Sequence, residues 1–320
     1  MRKVTIVLVF AVSAIVSAIV SYYIGSKCDS TENQPSAQLA DMVPMPSELT
    51  FMGETVPVDN FDTRESLDRE LQVNRLWHSQ TILILKRANR YFPIIEPILK
   101  ANDVPDDLKY IAVIESSLTN AVSPSGAKGF WQFLSGTAKD FGLEVNDEVD
   151  ERYNLEKATV AAISYFKQMK EKFGSWTMAT ASYNIGRGNL SKQMAQQKCS
   201  NYYDLILGEE TERYIFRAIA IKQIMENPEK YGFSMPQSEL YEPIPYSVVS
   251  IDSTIPDMAD FAFAHGINYK MLKVLNPWLR STKLTNPKRK SYEIKLLTPE
   301  FRNIDIDTTL SLPSQDIELN

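Results

Sequence analysis

Residues 105–118 read PDDLKYIAVIESSL. Leu108, Ile111, Ala112 and Glu115 fall at i, i+3, i+4 and i+7, so one helical face carries three apolar residues and a carboxylic acid. Val113 and Ile114 widen the apolar surround. Pro105 suits the first helical position, and Asp106 and Asp107 in the first turn complement the helix dipole, so the helix does not rest on periodicity alone. A carboxyl half-buried among aliphatic groups loses hydration in its charged form, which raises its pKa and lets it hold a proton near neutrality. Such a group can donate that proton. The plainer alternative is a glutamate paired with a nearby arginine or lysine, or one at the rim of the stripe with its carboxylate in water.

Downstream, 121–129 (AVSPSGAKG) contains Pro124, Gly126 and Gly129, which permit tight turns and a close approach of the backbone to a ligand. It leads into Phe130-Trp131-Gln132-Phe133. Trp131 offers a flat apolar face and Gln132 an amide donor and acceptor, a pair suited to sugar recognition. A tryptophan in a helical region is also an ordinary core residue. Trp176, Ala179, Thr180 and Tyr183 form another helical stripe, ended by the helix-stop run Asn184-Ile185-Gly186-Arg187-Gly188. Tyr183 and Asn184 then sit at a helix end facing inward, as ligand-facing groups or as a satisfied phenol and a C-terminal cap. Gly186-Arg187-Gly188 lacks the spacing and lysine of a phosphate loop.

At 320 residues the chain has room for one large domain or two modest ones, and 44% hydrophobic against 23% charged residues is enough apolar material for a real core. A net charge of -6 with dispersed Lys and Arg predicts no nucleic-acid partner. Arg2-Lys3 followed by an apolar run from Val4 to Ile24 reads as an export signal or membrane anchor, long enough for the roughly 30 Å hydrocarbon core. Without a small-x-small cleavage site, an uncleaved anchor over 1–27 is the expectation, with the body exported. Cys28 raises lipidation, which Lys27 beside it disfavours. Residues 28–62, rich in Ser, Pro, Gln and acids, read as a flexible tether.

Helical patterns dominate 63–235. One long helix is expected over about 64–91, followed by 94–100, the Glu115 helix, 137–141, 155–173, 176–183 and 211–225. The stripe Leu155, Ala158, Ala162, Tyr165, Phe166, Met169, Phe173 is a core face. Proline breaks then separate a module over 243–300 with a β-branched run at 247–251, helices near 258–265 and 269–275, and a strand at 292–297, a βααβ order. Residues 303–320 read as a tail. The fold class is mainly α with a small C-terminal α/β module. Cys28 and Cys199 are the only cysteines, and His78 and His265 stand far apart, so no disulfide framework and no metal site is expected.

Taken together, Glu115-Ser116, Gly129-Phe130-Trp131-Gln132 followed by Ser135-Gly136-Thr137-Ala138, Ser182-Tyr183-Asn184, and Glu212-Arg213-Tyr214-Ile215 resemble, in order and spacing, the soluble-lytic-transglycosylase domain, most of all in its D-type membrane-bound members. The resemblance covers about 90–230. It implies a goose-lysozyme-like helical fold with a groove for peptidoglycan glycan strands, an envelope location and no cofactor. Glu115 matches the family's catalytic acid, which protonates the oxygen between N-acetylmuramic acid and N-acetylglucosamine and then accepts the proton of the muramyl C6 hydroxyl, leaving a 1,6-anhydro ring. By motif position Ser116 orients the glutamate or contacts substrate, Gln132 and Trp131 bind sugar, Tyr183 bonds near Glu115, Asn184 contacts an N-acetyl group, and Tyr214 packs beside the groove. Phe130-Trp131 and Ser182 depart from the family's commoner Leu-Met and Ala. The module at 243–300 resembles a degenerate lysin motif, which implies added glycan affinity by tethering.

One acid suffices for this chemistry, because an internal hydroxyl replaces the second carboxylate of hydrolytic glycosidases, with an effective molarity on the order of 10⁵ M or more when well oriented. Two other readings stay open on the sequence. One is a hydrolytic muramidase using Asp140, Glu144, Asp147, Asp150 or Glu151 to activate water, and the other is a wall-binding protein without activity.

Overall fold

The computed structural model describes residues 43–302. The expected anchor over 1–27, the start of the tether and the tail over 303–320 lie outside the described residues. Among the described residues, those from Pro44 on fall in a single compact unit. Among the described residues no helix is long and apolar enough to cross a membrane.

The expected long helix is two. α1 (Phe61–Leu76) and α2 (His78–Ala101) meet at Trp77, whose backbone leaves the helical region at φ -77°, ψ 49°. Asn74 and His78, polar on an otherwise apolar face, mark this break in the sequence. Side chains compensate it, since the Asn74 amide donates to the Glu70 carbonyl and the Thr81 hydroxyl donates to the Asn74 carbonyl at 2.7 Å. α2 then runs on through Pro93 and Pro97, although each proline removes one helical hydrogen bond. Burial of Ile95 and Leu99 on the core side holds it.

A short 3-10 turn, Asp106–Leu108, precedes α3 (Lys109–Ser116), and α4 is Ser135–Asp140. α5 (Leu155–Phe173) buries the stripe read from the sequence and ends at Gly174 in the left-handed region. α6 (Trp176–Ile185) packs on α5, α7 is Arg187–Gln197, and α8 (Glu209–Glu226) packs against α1, α3 and α6. α8 therefore runs through the middle of the helical body, with Tyr214, Ile215, Ala218, Ile219 and Ile224 buried.

Part of the expected tether is ordered structure. β1 (Leu49–Phe51) and β2 (Glu54–Val56) pair antiparallel across Met52 and Gly53, both at positive φ, as a tight two-residue hairpin turn needs. The Glu54 carboxylate accepts from the backbone N–H groups of Trp176 (2.6 Å) and Thr177 (2.9 Å), so a carboxylate from the hairpin caps the positive end of α6. Asp107 ties the turn down by accepting from the Met52 N–H and from Lys222, each at 2.7 Å.

The C-terminal module has the expected order: β3 (Tyr246–Ile251), α9 (Met258–Ala264), α10 (Tyr269–Leu275), β4 (Tyr292–Leu297), with β3 and β4 antiparallel. It does not hang from the helical body. Val149 and Tyr153 are buried in one core with Ile255, Met258, Leu272, Leu279 and Ile294. Val149 bridges Leu279, the Asp150 N–H donates to the Trp278 carbonyl (2.9 Å), and the Arg280 N–H donates to the Glu148 carbonyl (2.8 Å). Lys290 and Tyr292 both reach Glu144, and Lys295 pairs with Glu156. The loop 144–153 thus serves as an extra layer of the module.

Leu279 is fully buried at this seam. Leu279→Ala is expected to cost ~2–5 kcal/mol, the usual range for a large buried aliphatic side chain. Calorimetry should show one transition moved down in temperature; an early separate melting of the module would contradict the shared core.

Candidate active site

Glu115 is the next-to-last residue of α3, where the helix ends in two consecutive left-handed residues, Ser117 (φ 52°) and Leu118 (φ 56°). Non-glycine residues adopt that conformation at a cost, so the turn needs external support. α2 provides it. The Gln80 amide donates to the Ser117 hydroxyl at 2.6 Å, and the Arg87 guanidinium donates to the Ser117 carbonyl at 3.2 Å. The two clamps fix where α3 stops and hence where the Glu115 side chain leaves it.

The carboxyl meets one face of α8. The Tyr214 hydroxyl donates to Oε1 of Glu115. Glu210, Tyr214 and Arg217 stand at i, i+4 and i+7, so one stripe of α8 presents to Glu115 a phenol, a cation and a second acid. Burial is the largest influence on Glu115 and pushes its pKa up to about 7. The Tyr214 hydrogen bond and the Arg217 charge act downward, and the Glu210 charge acts upward. Arg217 also donates to the Ile114 carbonyl at 3.1 Å. A cation does therefore sit near the acid, without ionising it outright. The group is poised to hold or release a proton near neutrality.

Tyr183 lies close enough for the Glu115 charge, added to burial, to raise its own pKa well above that of a free phenol. It is not the hydroxyl that bonds Glu115. It donates to the Trp131 carbonyl at 2.6 Å and stacks on Phe166 with ring centroids 4.8 Å apart. The tyrosine bonded to Glu115 is Tyr214, expected only to pack beside the groove. Trp131 departs further from expectation. It is fully buried, its indole N–H donates to Thr159 at 2.9 Å, and it has no face to offer a sugar. The ordinary core role applies to it.

Ser116 is buried, and its hydroxyl donates to the Ala112 carbonyl one turn back, not to Glu115. Gln132, at φ 50°, points its Nε2 at the carbonyls of Ala121 (3.0 Å) and Gly129 (2.8 Å), bracing the loop. Asn184 accepts from Thr211 at 2.7 Å and donates to Glu210 at 3.3 Å. Gly186, not Asn184, caps α6. Gly129 makes a close backbone approach to the chain itself rather than to a ligand: at φ +80°, a Cβ there would stand 1.9 Å from the Arg152 carbonyl oxygen.

Of the acids considered for activating water, Asp150 is buried in a two-bond ion pair with Arg152, and Glu151 is buried against Lys157 at 2.5 Å. Glu144 is held by Lys290 and Tyr292 in the module seam. Asp140 and Asp147 are exposed. The acid whose charge bears on Glu115 is Glu210, which the sequence reading missed together with Arg217. Their spacing from Tyr214 on one helix face was the available signal. Among the described residues no group of His, Cys, Asp and Glu could hold a metal ion.

Residues 92–206 match the Transglycosylase SLT domain, and residues 247–300 match the Soluble lytic transglycosylase C-terminal LysM-like domain. The chain is homologous to membrane-bound lytic murein transglycosylase D of Escherichia coli (strain K12), with 27% identity over 243 residues. That alignment takes in 73% of this chain and 52% of the relative, so the chain spans about half the relative's length. Membrane-bound lytic murein transglycosylase F of Saccharophagus degradans is 32% identical over 127 residues, 35% of this chain and 24% of the relative. The fold is the mainly helical, lysozyme-like one expected. The matched SLT segment begins within α2 and ends before α8, so Tyr214, Arg217 and the α1–α2 break all lie outside it.

Two outcomes follow from the balance around Glu115. Tyr214→Phe removes a hydrogen bond that favours the carboxylate, so a carbon-13 NMR titration of Glu115 should move upward from about 7; an unchanged midpoint would deny the bond its role. A carboxyl with a folded pKa raised from 4.5 binds its proton more tightly when folded, so its contribution to stability declines as pH rises between 4.5 and about 7. Glu115→Gln, which does not titrate, should therefore melt above wild type at pH 8, by on the order of 3 °C, with the gap closing towards pH 5.

Proposed function

We propose that this protein is a peptidoglycan lytic transglycosylase of the cell envelope, with Glu115 as the group that donates and then recovers the proton. The observation that carries this is a carboxyl pushed up to about 7 by burial yet bonded by Tyr214 and faced by Arg217. Such a group is protonated often enough to act as an acid and, once ionised, has a hydrogen bond and a cation to stabilise it. The family matches and the relatives' names support the substrate class.

In the proposed reaction Glu115 gives its proton to the oxygen linking C1 of N-acetylmuramic acid to N-acetylglucosamine, and the C1–O bond breaks. The muramyl C6 hydroxyl closes on C1, and its proton passes to the Glu115 carboxylate. A 1,6-anhydro ring forms, the acid is regenerated, and no water is consumed. Tyr214 holds the carboxyl in place through both transfers. Gln132, whose Nε2 braces the loop, keeps Oε1 as an acceptor for a sugar donor. Asn184 meets an N-acetyl group by exchanging its 3.3 Å contact with Glu210. The LysM-like module, seated by a shared core, adds glycan contacts from a set position instead of from a tether. Export and anchoring by the N-terminal segment complete the proposal.

A hydrolytic reading draws on Glu210, an exposed acid whose charge reaches Glu115. Mass spectrometry of the products from purified sacculi separates the two. Anhydro-muramyl ends are expected, with kcat/KM falling as pH rises through about 7, and Glu115→Gln should lose at least ~10³-fold in rate. Reducing ends throughout would replace the transglycosylase by a muramidase, and an unaffected Glu115→Gln would remove Glu115 from the chemistry.

A further inference from the structure

The loop 144–153 faces two ways. Val149 and Tyr153 are buried in the core of the C-terminal module, and between them stand the buried pair Asp150 and Arg152. The side chains of that pair serve the helical body. Arg152 donates through Nε and Nη2 to the Asp150 carboxylate, at 2.8 and 2.7 Å, and through Nη1 to the carbonyls of Gly126 (3.1 Å) and Phe133 (3.2 Å). Those two carbonyls flank Gln132 in the sequence, and Phe133 is its immediate neighbour.

A guanidinium that holds a carboxylate on one edge and two backbone carbonyls on the other is a rigid spacer, because its planar fork fixes the angle between the two sets of bonds. Burial acts to raise the Asp150 pKa, but the hydrogen bonds and charge of Arg152, with the charge of Lys128, outweigh it and hold the carboxyl below its ordinary value. The pair therefore stays ionised. Lys128 belongs to the same loop as Gln132 and adds a further tie, 3.5 Å from Asp150. Gln132 itself sits at φ 50°, a costly conformation for a residue with a side chain, and its amide reaches the Ala121 and Gly129 carbonyls only while the loop keeps this shape. On the other side of the pair, the Asp150 N–H donates to the Trp278 carbonyl and Val149 bridges Leu279, so the backbone of the module sets where Asp150 and Arg152 stand.

We propose that Arg152 is a positioning residue for Gln132, and that the C-terminal module, by seating Val149 and Asp150, sets the place of Arg152. The module is then part of the framework of the active site, whatever glycan it also binds. The assignment rests on the transglycosylase reading for what Gln132 touches, a sugar donor, and on the geometry alone for how Gln132 is held. Arg152 is buried and acts only through the loop, so its loss is felt by a group it does not touch.

The test uses the full-length protein and peptide-free glycan strands prepared from sacculi with an amidase. Arg152→Lys keeps a charge beside Asp150 but lacks the fork, so one ammonium cannot hold the carboxylate and both carbonyls. In nitrogen-15 NMR without substrate, the side-chain amide signals of Gln132 should shift in Arg152→Lys, and they should shift again in Leu279→Ala, on the module side of the seam. Well below its unfolding temperature, Arg152→Lys should lose roughly ten- to hundredfold in kcat/KM. In a Gln132→Ala background the same change should cost less than about twofold, because a residue acting through Gln132 has nothing left to place. Equal losses in both backgrounds would overturn the positioning role, and Gln132 signals untouched by Leu279→Ala would overturn the part given to the module. Should Arg152→Lys fail to fold, Leu279→Ala takes its place in the same cycle with Gln132→Ala, and additive losses there sink the proposal. Should the wild-type protein cleave no strand, the transglycosylase reading fails by itself, and the Gln132 amide still decides how the loop is held: unmoved signals in both variants would end the inference.

Discussion

The structure turns on one desolvated carboxyl pressed against one face of a helix. Glu115 leaves α3 into the side of α8, where Tyr214 gives it a hydrogen bond and Arg217 and Glu210 place opposite charges near it. Burial pushes the acid towards its protonated form, the tyrosine and the arginine act the other way, and the balance lies at about 7. The rest of the helical body keeps that contact in register. α8 is packed by α1, α3 and α6, and the C-terminal end of α3, next to Glu115, is held by Gln80 and Arg87 from α2.

That clamp links the fold's irregularities to its function. Two left-handed residues, Ser117 and Leu118, just past the end of α3 are costly to maintain, and the bonds that hold Ser117 come from the helix that begins at the Trp77 break. The break leaves the aromatic ring of Trp77 in water and a recess beside the acid. Irregular backbone, exposed indole and raised carboxyl pKa thus lie in one neighbourhood.

Much of this was legible in the sequence where the signal was local and periodic. The α5 stripe, the βααβ order of the module, and the placement of Glu115 on an apolar face are statements about spacing, and spacing survives folding. The misread residues carried signals that local patterns do not resolve. Trp131 looks like a sugar platform until Thr159, 28 residues away, takes its indole N–H. Tyr183 and Tyr214 are both inward-facing phenols; which one reaches Glu115 depends on how α6 and α8 cross. The hairpin at 49–56 was hidden in a polar, proline-containing stretch, and a carboxylate capping α6 122 residues away helps hold it in place.

By itself the sequence determined that the chain builds a helical body followed by a small α/β module, and that an acid lies on an apolar helical face, because amphipathic period and turn residues act within a few positions of one another. Only the tertiary structure decided which groups tune that acid, which aromatic faces solvent, and that the module is seated on the loop 144–153 instead of hanging from a linker. Those outcomes depend on contacts between segments tens to well over a hundred residues apart. Burial and charge are properties of the assembled neighbourhood, not of any stretch of chain.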